Sequence, residues 1–192
     1  DRQTFAPTEP SLAEMTMKAL ETLSSGAKGK DRGFFLFVEG SKVDWAAHAN
    51  DPAGVVSDLL AYDKAVKAAL DFAKADGNTL VISVADHTTG GLSIGVREDA
   101  NYSTTDDDFV VVPMRKAGLT SEGLGKLIEK DNSEANIREV LAARWGISDV
   151  SEGEIATIRN ASPGKALQKI LVTMLSKRAR IGWTTGGHTG GD

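Results

Sequence analysis

The sequence predicts an α/β fold, a mostly parallel sheet covered by helices on both faces and interrupted by an inserted subdomain. Three observations predict it. Two short runs, 33–38 (Gly-Phe-Phe-Leu-Phe-Val) and 80–85 (Leu-Val-Ile-Ser-Val-Ala), are apolar almost without a break, as strands buried on both faces are. A long amphipathic helix pattern lies between them, so strand, helix and strand alternate. From about Val96 the texture changes to short helical patterns and polar turns, which marks the insertion.

The elements follow in order. Residues 1–10 are an irregular lead-in. Ser11 caps a helix carrying Leu12, Met15, Met17, Leu20 and Leu23, which stops at Gly26 and a polar Lys28-Gly29-Lys30 turn. Phe34–Val38 is the first buried strand. A helix from about Ala53 to Ala75 aligns Val55, Leu59, Tyr62, Val66, Leu70 and Ala73 near one stripe, and Asp76-Gly77-Asn78 ends it. Thr79–Ala85 forms the second buried strand, centred on Leu80–Val84. In the insertion, Asp106–Asp108 is a solvated acidic turn and Phe109–Val112 a short strand stopped by Pro113. Helices are expected near Ser121–Lys130 and Glu134–Trp145. Ser162-Pro163 starts a last one, whose end carries Lys177, Arg178 and Arg180 as the helix dipole prefers.

Composition narrows the function. The 192 residues allow one domain, or a core with a sizeable insertion. A net charge of -5 argues against nucleic-acid binding, and an anionic substrate would need local positive charge, which bound metal could supply. No apolar stretch approaches the roughly 18 residues of a membrane span. No basic start followed by an apolar core marks a signal peptide. The absence of cysteine excludes disulfides and thiolate sites, leaving histidine and carboxylate as metal ligands.

All three histidines lie where a metal would want them. His48 follows Asp44 by four residues, so on a helix the two share a face and can grip one ion from adjacent turns. Asp86-His87 comes where the chain leaves the second strand, a place where α/β sites gather. His188 stands among glycines, which let the backbone approach a crowded site closely. Imidazole and carboxylate suit zinc, which keeps a position open beside three such ligands when it is catalytic.

Each histidine alone also has a plainer reading, as a packed or solvated side chain beside its aspartate, or as part of a loose tail. The joint pattern, with no histidine elsewhere, favours metal. Glu39 could instead favour the start of the following helix. Asp106–Asp108 lacks the alternating ligands and glycine of a calcium loop. Asn101-Tyr-Ser103 and Asn160-Ala-Ser162 fit the glycosylation pattern at the level of chance. Asp63 reads as a solvated or structural carboxylate, and Trp145 and Trp183 as packing residues.

Taken together, Val38-Glu39-Gly40-Ser41-Lys42-Val43-Asp44 with His48, Ala85-Asp86-His87-Thr88, and Gly186-Gly187-His188-Thr189 resemble the metal-binding blocks of the alkaline phosphatase family. The likeness is specific over residues 31–95 and 182–192. It implies a partial three-layer α/β/α core in residues 1–95, an inserted lid or crown-like subdomain over 96–180, and a return to the core at 181–192. By the same resemblance, Asp44, His48 and His188 would hold one zinc, Asp86 and His87 a second zinc, and Glu39 a magnesium. Trp45, beside Asp44, would face the phosphate pocket. The implied reaction is hydrolysis of small phosphate monoesters at alkaline pH through a phosphoserine, by a homodimer that is periplasmic or secreted.

The family's Asp-Ser nucleophile block has no match here. The reading is therefore of a piece of a longer polypeptide, inactive alone, whose partner is the missing N-terminal segment. Two alternatives stay open. One is a phosphodiesterase, sulfatase or phosphomutase of the same superfamily, against which Glu39 discriminates. The other is a non-catalytic metal-binding fragment.

Overall fold

The computed structural model describes residues 1–95 and 108–189. Helices α1 (Arg2–Phe5) and α2 (Leu12–Ser25) open the chain. α2 starts where the sequence places it. The Ser11 hydroxyl accepts from the Glu14 amide at 3.2 Å and the Glu14 carboxylate accepts from the Ser11 amide at 2.7 Å, a closed capping box. The turn expected at Lys28–Lys30 is instead a short helix, α3 (Ala27–Arg32). Gly26, at φ -65° and ψ 146°, ends one helix and begins the next, and the alanine, lysines and arginine after it are good helix formers.

Beyond α3, residues 33–40 are neither helical nor paired, and exposure alternates with a period of two from Phe34 to Gly40. Helix α4 (Lys42–His48) and the long α5 (Pro52–Asp76) follow, and then residues 79–85, again unpaired. Both unpaired runs are anchored on α5. Phe34 meets Phe72 edge to face, with ring centroids 6.0 Å apart, and the Tyr62 hydroxyl hydrogen-bonds Ser83 Oγ at 2.8 Å.

These two runs correct the expectation of buried parallel strands. Phe35 is 87% exposed and Leu80 83%, and Phe37, Ile82 and Val84 also face outward. The physical reason is that no described segment pairs with their backbones or covers their outer side. α5 departs from expectation for the same reason. Its buried residue at mid-length is Ala65, while Leu59 and Leu70 of the predicted stripe are about half exposed.

The sheet among the described residues is a two-residue antiparallel pair, β1 (Ser93–Ile94) with β2 (Ile181–Gly182), in the register Ser93 opposite Gly182 and Ile94 opposite Ile181. Between them lie α6 (Asp108–Lys116), α7 (Ser121–Lys130), α8 (Glu134–Trp145), α9 (Glu152–Arg159) and α10 (Lys165–Arg178). The strand expected at Phe109–Val112 is the start of α6, with Pro113 inside the helix. α6 lies against α5, α8 and α10, and strand propensity, itself a packing preference, yields in that helical setting. α7 and α8 have the bounds the sequence predicts. α10 begins at Lys165, three residues after the expected cap, because Pro163 and Gly164 form a turn. Gly164 takes φ 77° there and donates its N–H to Glu129 at 2.7 Å.

The hydrophobic core sits in α7–α10. Leu124, Ile128, Ile137, Leu141, Leu171 and Leu175 are fully buried in it. Trp145 packs among them, as the sequence suggests, and its indole N–H donates to the Leu119 carbonyl at 2.8 Å. Two arginines tie the helices together. Arg178 forms a bidentate pair with Glu154 (2.8 and 3.1 Å) and reaches Asp149 at 3.1 Å. Arg138 bridges Glu134 and Glu152. Asp51, 3% exposed, joins this bundle to α5: its carboxylate accepts from the Gly54 amide at 3.0 Å and the Ser121 amide at 2.6 Å, and so satisfies the first turns of α5 and α7 at once.

Candidate metal centre

α4 places Asp44 and His48 one turn apart, with Asp44 Oδ1 and His48 Nε2 separated by 3.5 Å. The helix ends at Ala49, and Asn50 turns the chain into α5 with a left-handed φ of 51°. This end of α4 also holds the last histidine block. His48 Nδ1 lies 2.8 Å from the Gly186 carbonyl, and the Asn50 amide donates to the Thr185 carbonyl at 2.9 Å. A carbonyl can only accept, so Nδ1 of His48 carries a proton, and in the neutral ring Nε2 offers its lone pair on the Asp44 side.

The second block is stitched to the last one. Gly90 donates to the Gly187 carbonyl at 2.9 Å and its own carbonyl accepts from Thr184 and Thr185, while Thr189 donates to the Thr88 carbonyl. Gly90 is required at this crossing. Its φ is 78°, and a β-carbon there would lie 2.8 Å from the Ala47 carbonyl oxygen and 2.9 Å from the Trp183 ring. Trp183 in turn donates from its indole to Ser176 on α10 at 3.1 Å, so the helical bundle buttresses the crossing.

Three of the predicted ligands converge. Asp44, His48 and His188 each present a donor atom within 4.8 Å of the others. His87 stacks on His188 with ring centroids 3.8 Å apart, and its Nε2 lies 3.4 Å from Asp86 Oδ2. The Asp86 side chain is 89% exposed. Glu39 is exposed and belongs to no three-donor group among the described residues. Trp45 is 62% exposed, and the Lys42 ammonium sits 3.5 Å from its ring centroid, a cation–π contact.

The donor chemistry fits zinc: two imidazole nitrogens and a carboxylate oxygen form the kind of set that leaves a fourth position open. Tetrahedral bonds of about 2 Å put donor atoms roughly 3.3 Å apart, so these atoms would close up by at most about 1.5 Å, within reach of side-chain rotation. Sequence reasoning did not single out Thr89, Asn50 or the Gly186 carbonyl. Thr89 lies two residues from His87, but only the folded crossing shows what its hydroxyl touches.

A carboxylate–imidazole cluster of this kind, built where three separate blocks meet, is a candidate metal site. The chain belongs to the alkaline phosphatase family, whose sequence profile matches residues 2–192. It is 38% identical over 184 residues to alkaline phosphatase 4 of Bacillus subtilis, covering 94% of this chain and 37% of that protein. It is 37% identical over 199 residues to the repressible alkaline phosphatase of Saccharomyces cerevisiae, covering 95% of this chain and 34% of that protein. Among solved structures, it resembles a cold-active alkaline phosphatase from the psychrophile Shewanella sp. with a TM-score of 0.77 and 30% identity, over 93% of this chain and 42% of that one. The chain thus spans little more than a third of the length of these curated relatives.

Proposed function

We propose that this chain supplies most of the metal ligands of an enzyme that hydrolyses small phosphate monoesters at alkaline pH. The observation that carries the reading is the convergence of Asp44, His48 and His188, with His87 stacked against them. In this reading Asp44, His48 and His188 hold one zinc, Asp86 and His87 a second, and Glu39 a magnesium. Bound there, the metals would neutralise phosphoryl oxygens and activate a nucleophile without help from a side-chain base.

The chain's own residues prepare the place. Gly186 fixes the His48 ring so that Nε2 faces Asp44, and the crossing at Gly90 holds His87 beside His188. Lys42 and Trp45 stand at the start of α4, two residues before and one residue after Asp44, with the Lys42 ammonium over the Trp45 ring, and in this reading they face the phosphate. The serine that takes the phosphoryl group lies outside these 192 residues, on a further segment that also supplies the rest of the sheet. The pairing of β1 with β2 supports reading 96–180 as an insertion between core segments 1–95 and 181–192, since it brings the two ends of that stretch together. A periplasmic or secreted homodimer is the assembly this family membership favours. No described helix is long and apolar enough to cross a membrane.

The test is calorimetric. Zinc should bind the chain, and His48→Ala should weaken the tighter event by at least about 10-fold, since it removes one of three ligands. Unchanged binding would remove the Asp44–His48–His188 centre from the reading. Assaying a polypeptide that joins these residues to an Asp-Ser block against a monoester, a diester and a sulfate ester then separates the phosphatase from its superfamily alternatives.

A further inference from the structure

We infer that Thr89 is a positioning residue shared by the two metal-ligand sets, its hydroxyl fixing both the tautomer of His87 and the orientation of Asp44. The inference rests on the metal-site reading above and adds a residue to it. Thr89 Oγ1 donates to Asp44 Oδ1 at 2.7 Å, and His87 Nδ1 lies 3.1 Å from the same oxygen. A threonine hydroxyl has one proton. That proton is committed to Asp44, whose carboxylate can only accept. The contact with His87 must therefore run the other way, with Nδ1–H donating to the Thr89 lone pair. In the neutral ring this leaves Nε2, the atom that faces Asp86 at 3.4 Å, without a proton.

The chain of bonds is thus His87 Nδ1–H to Thr89 Oγ1–H to Asp44 Oδ1, and it spans the two ligand sets. It does for His87 what the Gly186 carbonyl does for His48. It also occupies one lone pair of Asp44 Oδ1, which leaves the remaining carboxylate lone pairs for an ion shared with His48 and His188. The threonine itself is held by backbone. It forms an isolated antiparallel bridge with His188, so one residue is tied to all of Asp44, His87 and His188. Partners of this kind, which orient a ligand without touching the ion, typically change metal affinity 10- to 100-fold when removed.

Valine matches threonine in shape but lacks the hydroxyl, and serine keeps the hydroxyl. The experiment uses the polypeptide that joins these residues to an Asp-Ser block, compares its unsubstituted form with Thr89→Val and Thr89→Ser by zinc calorimetry, and reads the His87 tautomer by 15N NMR of the metal-free unsubstituted form at alkaline pH. The unsubstituted chain should show the Nδ1–H form of His87. Thr89→Val should lose that preference and weaken both zinc-binding events by about 10- to 100-fold, while Thr89→Ser stays within about threefold of the parent.

An Nε2–H tautomer in the unsubstituted chain overturns the inference without recourse to any variant. So does a Thr89→Val chain that binds zinc as the parent does, or a Thr89→Ser chain as impaired as Thr89→Val. Absence of zinc binding by the unsubstituted chain would overturn the metal-site reading, and this inference with it.

Discussion

Gly90 decides how closely the second and third ligand blocks can approach. Its amide and carbonyl are both spent on the last block, and its α-carbon faces the Ala47 carbonyl and the Trp183 ring at distances no side chain tolerates. Gly90→Ala would combine a left-handed backbone cost of roughly 1–2 kcal/mol with a clash against backbone, which cannot swing away. We expect a loss of about 2 kcal/mol or more in denaturant unfolding, together with weaker zinc binding, because His87 and His188 are held together through this crossing. Equal stability of the variant and parent would show that the crossing is looser than its geometry indicates. By contrast Trp45 is 62% exposed, with the Lys42 ammonium over its ring. Trp45→Ala should therefore leave unfolding unchanged within about 0.5 kcal/mol and alter KM for a phosphate monoester in the assembled enzyme; an unchanged KM would take Trp45 out of the phosphate pocket.

At the scale of elements, the bundle of α7–α10 is bolted by charge as well as by its core. Glu154 serves twice, as the N3 residue of the α9 capping box and as the bidentate partner of Arg178. The Arg178 hydrogen bonds come first among the causes that hold its carboxyl down to about 2, against an ordinary 4.5. A carboxyl lowered on folding contributes stability that is complete above about pH 4.5 and lost as pH falls toward 2. Thermal unfolding followed from pH 5 to pH 2 should show this decline, and Glu154→Gln should flatten part of it; parallel profiles for the two chains would assign the decline to other carboxylates.

The same elements show how much the sequence disclosed. Ser11, Ser133 and Gly77 are caps written in local chemistry, so α2, α8 and the end of α5 were legible. α9 is equally legible in Ser151-Glu-Gly-Glu154, a capping box. The apolar run before Pro113 misled because strand propensity is a packing preference, and the helix it forms lies against three others. The aspartate–histidine pairs were visible from spacing and neighbours. The hydrogen bonds that tie Thr89 to Asp44, across 45 residues, have no local signature.

The whole molecule has two unequal parts. Residues of α7–α10 enclose a continuous core, whereas the ligands on α4, beside the two unpaired runs and after β2 share a part of the molecule where large apolar side chains stand open. Phe35, Phe37, Leu80, Ile82 and Val84 are the residues that a sheet would bury, and leaving each exposed forgoes about 1.5–3 kcal/mol. The part bearing the metal ligands should therefore open at far lower free energy than the bundle. Hydrogen exchange on the chain alone should show strong protection in α8 and α10 and almost none at 34–38 and 80–84, and a dye specific for apolar surface should bind. Catalysis should fail for a related reason. A serine must be held at the metals to act as nucleophile near neutral pH, and no Asp-Ser block occurs in these 192 residues to present one. With zinc and magnesium added, the chain alone is expected to show no turnover of a phosphate monoester above background. A polypeptide carrying the nucleophile block, supplied in cis or as a second chain, should bring turnover, protect 34–38 and 80–84 from exchange, and abolish dye binding together. Turnover by the chain alone at the rate of that combined enzyme would mean that the nucleophile lies within these residues and that the division of labour proposed for them is wrong.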